Sequence, residues 1–158
     1  MVLAAIEHYQ FWEVFSNRIF WCSLGGWLVA SFIKMVIAAV KTREFDFVYL
    51  IATGGMPSSH SATVTSAALS IGFTTGFNSS VTALAMVFAA VTMFDAATVR
   101  RAAGEHAKVL NAIVRDIKEL KFKPAKRFKE LLGHTRSEVM WGMATGIVWA
   151  TLFCWIFD

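Results

Sequence analysis

From Phe47 to Phe94 the chain reads FVYLIATGGMPSSHSATVTSAALSIGFTTGFNSSVTALAMVFAAVTMF. This stretch contains no Asp, Glu, Lys or Arg, and its only ionisable side chains are those of Tyr49 and His60. A helix that crosses the hydrocarbon core of a membrane needs about 20 consecutive apolar residues. The stretch is therefore too long for one buried strand or helix, and it is long enough for two membrane spans.

Turn-forming residues divide the stretch. Gly, Pro and Ser near the end of residues 47–59 indicate a loop or a re-entrant segment, and Asn78, Ser79 and Ser80 form a short turn. Two further apolar runs lie outside the stretch. The run before it is interrupted only by Lys34, and the run near the end of the chain has no charge. The four predicted spans lie at about 19–40, 61–77, 81–99 and 139–157.

The composition supports a membrane protein. Hydrophobic residues make up 56% of the 158 residues, and charged residues make up 16%, against about 25% in soluble domains. The mean hydropathy is +0.55. These values exclude a disordered chain, a coiled coil and a nucleic-acid-binding domain built on a soluble core. We predict one all-α domain over residues 1–158, an integral membrane helical bundle.

Two amphipathic segments accompany the spans. Residues 1–17 mix aromatic and charged side chains, which is typical of an interfacial helix. Residues 100–138 hold 11 of the 15 basic residues, and apolar residues recur there from Val109 to Leu120 at three- and four-residue spacing. This spacing predicts an amphipathic helix between the third and fourth spans. Cys22 and Cys154 lie in apolar runs and are interpreted as small buried hydrophobes.

The basic residues also predict the orientation. Four spans place Lys41, Arg43 and the basic segment 100–138 on one side of the membrane, while the opposite side carries little charge. The positive-inside rule assigns the basic side to the cytoplasm. We therefore expect an inner or plasma membrane location, or its organellar equivalent, with both termini on the far side.

Four groups of chemically active residues lie on this predicted cytoplasmic side. Bases, hydroxyls, two histidines and an acid on one face suit a phosphate ester, because cations bind phosphoryl oxygens and histidine can attack phosphorus or move a proton. The groups are Lys34 with Lys41 and Arg43, residues 54–61 (GGMPSSHS), Asp95 with Arg100 and Arg101, and residues 133–138 (GHTRSE).

Several of these motifs resemble those of a known superfamily. PSSH at 57–60 is similar to the P-S-G-H motif of the type-2 phosphatidic acid phosphatase and vanadium-dependent haloperoxidase superfamily, and residues 134–146 resemble its H-x-x-x-D-V-x-x-G ending. The stretches GGMPSSHSA, DAATVRRAAG and LLGHTRSEV resemble its small divergent branch. With the basic residues near the first span, the resemblance covers most of residues 30–150.

The resemblance implies a metal-independent phosphatase without a cofactor. His134 would be the nucleophile that forms a phosphohistidine, Glu138 would orient it, and His60 would protonate the leaving group. The residues implied in phosphate binding are Lys34, Arg43, Ser58, Ser59 and Arg100.

The sequence departs from the superfamily pattern at three places. Either Lys41 or Arg43 can follow Lys34 as the second base, and Ser59 replaces Gly. The superfamily's third motif places an arginine six residues before its histidine. Arg100 stands six residues before His106, but His106 has no acid four residues later. We therefore assign the arginine of this motif to the end of the third span and its histidine, His134, to the start of the fourth. Arg101 can replace Arg100 in this role.

Simpler interpretations exist for each residue. Lys34 can extend its amine from a helix end to the interface, Asp95 can pair with Arg100, and His60 can cap a helix as Ser58 can. We treat His106 as structural. The basic segment 100–138 can be a solvated surface or one that faces anionic lipids.

We therefore predict a lipid-phosphate phosphatase acting at the cytoplasmic face on a phospholipid intermediate, phosphatidylglycerophosphate or phosphatidic acid. The alternatives are an undecaprenyl-diphosphate-type phosphatase and a non-catalytic membrane protein that binds anionic lipid. The expected partners are the lipid substrate and membrane lipids, without nucleic acid. Four spans make a thin bundle, which also favours a homo-oligomer.

Overall fold

The computed structural model describes residues 11–43, 47, 54–117 and 133–157, and within them it is all-α. A short 3-10 helix, Phe11–Ser16, precedes five α-helices. The helices are α1 (Arg18–Thr42), α2 (Ser59–Thr75), α3 (Ser80–Ala97), α4 (Val99–Ile117) and α5 (Arg136–Phe157). The all-α class predicted from the sequence is thus confirmed for the described residues.

Side-chain caps determine where the helices begin. The side-chain oxygen of Asn17 accepts hydrogen bonds from the N–H groups of Ile19 and Phe20 at the start of α1. Ser58 caps α2 and Ser79 caps α3 in the same way. Residues of these types are favoured at helix starts because they satisfy first-turn N–H groups that have no acceptor within the helix.

Helix α2 is the centre of the bundle, in contact with α1, α3 and α5. Its buried positions are small, so neighbouring backbones approach closely. A Cβ at Gly146 of α5 would lie 2.6 Å from the carbonyl oxygen of Ala62. The Ser66 hydroxyl donates to the Ala62 carbonyl at 2.7 Å and also lies 3.3 Å from the Gly146 carbonyl. Small residues and hydroxyl bonds of this kind are typical of helix contacts inside membranes.

Three parts of the described chain are long and apolar enough to cross a membrane: Arg18–Thr42, Ser80–Val114 and Arg136–Phe157. The second of these runs through α3 into α4, which meet at Thr98. Helix α2 has 17 residues, or about 25 Å of length, somewhat less than the hydrocarbon core of about 30 Å. The predicted count of four spans is therefore not confirmed.

The remaining sequence predictions fall partly outside the described residues. Of the predicted interfacial helix 1–17, only the 3-10 helix Phe11–Ser16 is described. Of the basic segment 100–138, the structure describes residues 100–117, which belong to the amphipathic helix α4, and residues 133–138.

Two backbone hydrogen bonds bring distant parts of the chain to one end of the bundle. The Ser58 N–H donates to the Glu138 carbonyl at 3.0 Å, and the His134 N–H donates to the Ala96 carbonyl at 3.0 Å. The start of α2, the end of α3 and the start of α5 therefore meet at this end. The candidate site lies here.

Candidate phosphate site

His134 is held by the backbone at the junction of α3 and α4. Besides the bond from its N–H to Ala96, it follows Gly133, which has a φ of +88°. A Cβ at Gly133 would collide with the backbone of Arg100 and Arg101. Glycine adopts this φ without steric cost and leaves the space that the close approach needs. The His134 side chain is consequently buried, at 3% exposure.

A capping box at the start of α5 positions Glu138 beside this histidine. The Thr135 N–H donates to Glu138 Oε2 at 2.8 Å, and the Glu138 N–H donates to Thr135 Oγ1 at 3.3 Å. This reciprocal pair satisfies two first-turn N–H groups. The same Oε2 lies 3.3 Å from His134 Nδ1. The helix start therefore fixes the carboxylate, and the carboxylate fixes the imidazole.

The second nitrogen of His134 has a different environment. His134 Nε2 is buried and has no hydrogen-bond partner among the described residues. The imidazole of His60 is near, with ring centroids 6.3 Å apart and planes tilted by 59°. A buried polar atom without a partner is costly unless something binds it. Nε2 is therefore the atom of this ring that is available to a ligand.

Lys34 brings a positive charge to the same place from α1. Its side chain is 3% exposed, and its Nζ donates to Ser59 Oγ at 3.4 Å. The aliphatic part of Lys34 passes Gly55, where a Cβ would lie 3.4 Å from it. A buried ammonium is costly without polar partners, and the Ser59 hydroxyl is one such partner here.

The electrostatic surroundings keep His134 neutral. Burial lowers the pKa of His134 below its ordinary value, and the nearby charges of Lys34 and His60 lower it further. The negative charge and hydrogen bond of Glu138 act in the opposite direction but are outweighed. At neutral pH the imidazole therefore has a lone pair available on one nitrogen.

A cavity of about 190 Å³ opens beside His134. The segment from Gly133 to Glu138 and helix α4 both contribute to its walls. Its lining residues are Gly54, Gly55, Arg101, Gly104, Glu105, Lys108, Gly133, His134, Thr135 and Glu138.

Comparison with known proteins identifies the family of this chain. A family model described as "Divergent PAP2 family" matches residues 15–149, which include every site residue discussed above. The chain belongs to the divergent PAP2 family. The resemblance drawn from the sequence motifs is thus confirmed.

One relative of this divergent PAP2 protein is YuiD, a membrane protein of Bacillus subtilis (strain 168). The two are 39% identical over 156 residues, covering 92% of this chain and 99% of the relative. This similarity and the three long apolar helices identify an integral membrane protein. No solved structure matches the chain.

Most of the residues singled out from the sequence of this PAP2 protein lie together. The members of this cluster come from α1, from the start of α2 and from the start of α5, and their mutual contacts are those described above. They are Lys34, Ser58, Ser59, His60, His134 and Glu138.

The arginines and Asp95 are arranged differently. Arg101 lines the cavity, whereas Arg100 directs its Nε to Asp95 Oδ2 at 2.9 Å, with both side chains substantially exposed. Arg43 is exposed at the end of α1, nine residues and about 13 Å along the axis from Lys34. His106 is exposed on α4 and does not line the cavity.

Part of the cavity wall was not among the residues predicted from the sequence. Gly104, Glu105 and Lys108 follow Arg101 at three, four and seven residues, which places them on one face of α4. This spacing is the sequence signal that could have identified the shared face. The apolar residues that α4 also carries obscured it. As for metals, no group of three or more His, Cys, Asp or Glu that could hold an ion occurs within the described ranges.

Proposed function

We propose that this protein is a metal-independent phosphatase that hydrolyses a phosphomonoester of a membrane phospholipid. The observation that carries the proposal is the state of His134. Its Nδ1 contacts Glu138, while its buried Nε2 has no partner among the described residues. His60 and Lys34 lie beside it. A neutral, oriented imidazole with a second histidine and a cation nearby suits nucleophilic attack on phosphorus.

The proposed reaction has two steps. Nε2 of His134 attacks the phosphorus atom, the bond from phosphorus to the lipid oxygen breaks, and His60 donates its proton to the leaving alkoxide. A water molecule then attacks the phosphohistidine, with His60 taking its proton. Inorganic phosphate leaves and His134 is restored. Proton transfer by a positioned side chain contributes about 10²–10⁴-fold to such rates.

The remaining residues of the cluster would stabilise the charge on phosphorus. Lys34 and Arg101 are the cations placed to do so, and Arg100, held by Asp95, adds a positive charge near His60. Ser58 shapes the first turn of α2, where the Ser59 N–H has no acceptor within its helix. Such helix starts bind phosphate.

The proposed location follows from charge. We place the cluster on the cytoplasmic side, because basic residues concentrate next to it in α4. In this arrangement α2 is a fourth, protein-enclosed span. The cytoplasmic leaflet favours phosphatidylglycerophosphate or phosphatidic acid as substrate over undecaprenyl diphosphate on the opposite leaflet.

Phosphate release from a panel of lipid phosphates by the purified protein in detergent tests the proposal. We expect His134→Ala to lower the rate at least about 100-fold and His60→Ala to lower it by a similar order. His106→Ala is the matched control, because His106 is exposed outside the cavity, and it should retain full activity. The wild type could instead release no phosphate and bind lipid phosphate as tightly as His134→Ala does. That result would indicate a non-catalytic lipid-binding protein.

A further inference from the structure

Helix α4 contributes a charged wall to the cavity, and the proposed chemistry uses only Arg101 of this wall. Glu105 and Lys108 line the cavity together with Arg101, and Lys108 Nζ donates to Glu105 Oε1 at 3.2 Å. Gly104, in the same wall, is buried and has no side chain, so the cavity reaches the backbone of the helix. The wall therefore offers a cation and a carboxylate to whatever enters.

The spacing of these groups separates them from the phosphate to be cleaved. Lys108 lies seven residues after Arg101, which is two helical turns or about 10 Å along the axis. Arg101 belongs to the part of α4 that contacts Gly133, next to His134. Glu105 lies between the two cations along the same face. An elongated polar group with one end at His134 would thus reach Glu105 and then Lys108.

The chemistry of the pair indicates what that group contains. A carboxylate accepts hydrogen bonds from hydroxyl groups, whereas an ammonium donates to anions such as phosphate. We propose that Glu105 and Lys108 form a headgroup subsite, which recognises a hydroxyl and a second phosphate attached to the phosphomonoester. This inference rests on the proposed function and narrows its substrate class.

The two candidate lipids differ in this respect. The headgroup of phosphatidic acid is the phosphomonoester alone, so it supplies no partner to Glu105 and Lys108 beyond the bond that they make with each other. In phosphatidylglycerophosphate a hydroxylated three-carbon spacer joins the phosphomonoester to a phosphodiester, which supplies both partners. The subsite therefore selects the second lipid.

Binding of the two deacylated headgroups tests the subsite without turnover. Calorimetry in detergent would use full-length protein carrying His134→Ala, with glycerol 3-phosphate and glycerophosphoglycerol phosphate as the probes. We expect the second probe to bind about tenfold more tightly. Adding Lys108→Ala or Glu105→Gln should reduce this ratio to about twofold or less while leaving glycerol 3-phosphate binding unchanged. Circular dichroism would confirm that each variant is folded.

Arg136→Ala is the matched control, because Arg136 is an exposed cation at the start of α5 that does not line the cavity. It should keep the tenfold ratio. A ratio unchanged by Lys108→Ala, or lowered equally by Arg136→Ala, would overturn the subsite in favour of unspecific charge attraction. If the ratio behaves as expected but the wild type hydrolyses no lipid phosphate, the subsite stands and the phosphatase proposal fails. If the wild type hydrolyses both lipids but the two probes bind equally well, the phosphatase proposal stands and the subsite fails.

Discussion

One oxygen of Glu138 connects His134 to the start of α5. Oε2 accepts the Thr135 N–H at 2.8 Å and lies 3.3 Å from His134 Nδ1. The carboxylate therefore has a structural task, which is helix capping, and a second task, which is holding the imidazole. The two tasks can be separated by mutation.

Glu138→Gln should affect activity much more than stability. Glutamine still accepts the Thr135 N–H, so the free energy of unfolding should change by less than about 1 kcal/mol. The negative charge that orients and supports His134 is lost, and we expect phosphate release to fall at least tenfold, or about 1.4 kcal/mol. Thr135→Ala is the converse control, since it weakens the cap and leaves the carboxylate in place. Equal losses of activity in both variants would contradict this division.

Activity should persist into mildly acidic solution. In the proposed mechanism the nucleophile is the neutral imidazole of His134, and burial lowers the pKa of this group below its ordinary value of 6.5. The acidic limb of kcat/KM should therefore lie below pH 6.5, with activity falling as the pH drops through this lowered pKa. Because the charge of Glu138 raises the pKa, Glu138→Gln should move the limb to still lower pH. A limb that moves upward in this variant would exclude His134 as its origin.

Gly133→Ala should destabilise the protein. At a φ of +88° a Cβ is strained, and here it would also meet the backbone of Arg100 and Arg101. We expect a loss of more than about 1 kcal/mol in the free energy of unfolding, measured by denaturation in detergent. Gly54→Ala is the matched control, because a Cβ at Gly54 meets nothing within 4 Å. A Gly133→Ala protein as stable as this control would contradict the close approach.

Vanadate inhibition should distinguish Lys34 from Arg43. Lys34 is buried next to Ser59, whereas Arg43 is exposed at the helix end. We expect Lys34→Met to raise the vanadate concentration for half-inhibition about tenfold or more, since vanadate mimics pentacoordinate phosphorus. Arg43→Met should change it less than about twofold. A large effect of Arg43→Met would restore the role that the sequence motif implied for it.

The histidine motifs were accessible from the sequence, because each is a local pattern. PSSH at 57–60 and the His134 to Glu138 spacing lie within single turns, where caps and four-residue contacts are determined by neighbours in the chain. The choice between Arg100 and Arg101 was not accessible. Adjacent helical residues point about 100° apart, and only packing against Gly133 decides which of them lines the cavity.

The sequence by itself determined an all-α membrane protein, since the uncharged stretch from Phe47 to Phe94 is long enough for two membrane spans. Its motifs, PSSH at 57–60 among them, determined the family. Only the tertiary structure decided that α2, with 17 residues, is enclosed by the other helices. It also decided that residues of α4 line one cavity together with His134. The physical reason is that the pattern of apolar residues indicates only which residues avoid water. Contacts between helices depend on small residues and hydrogen bonds that join positions far apart in the chain.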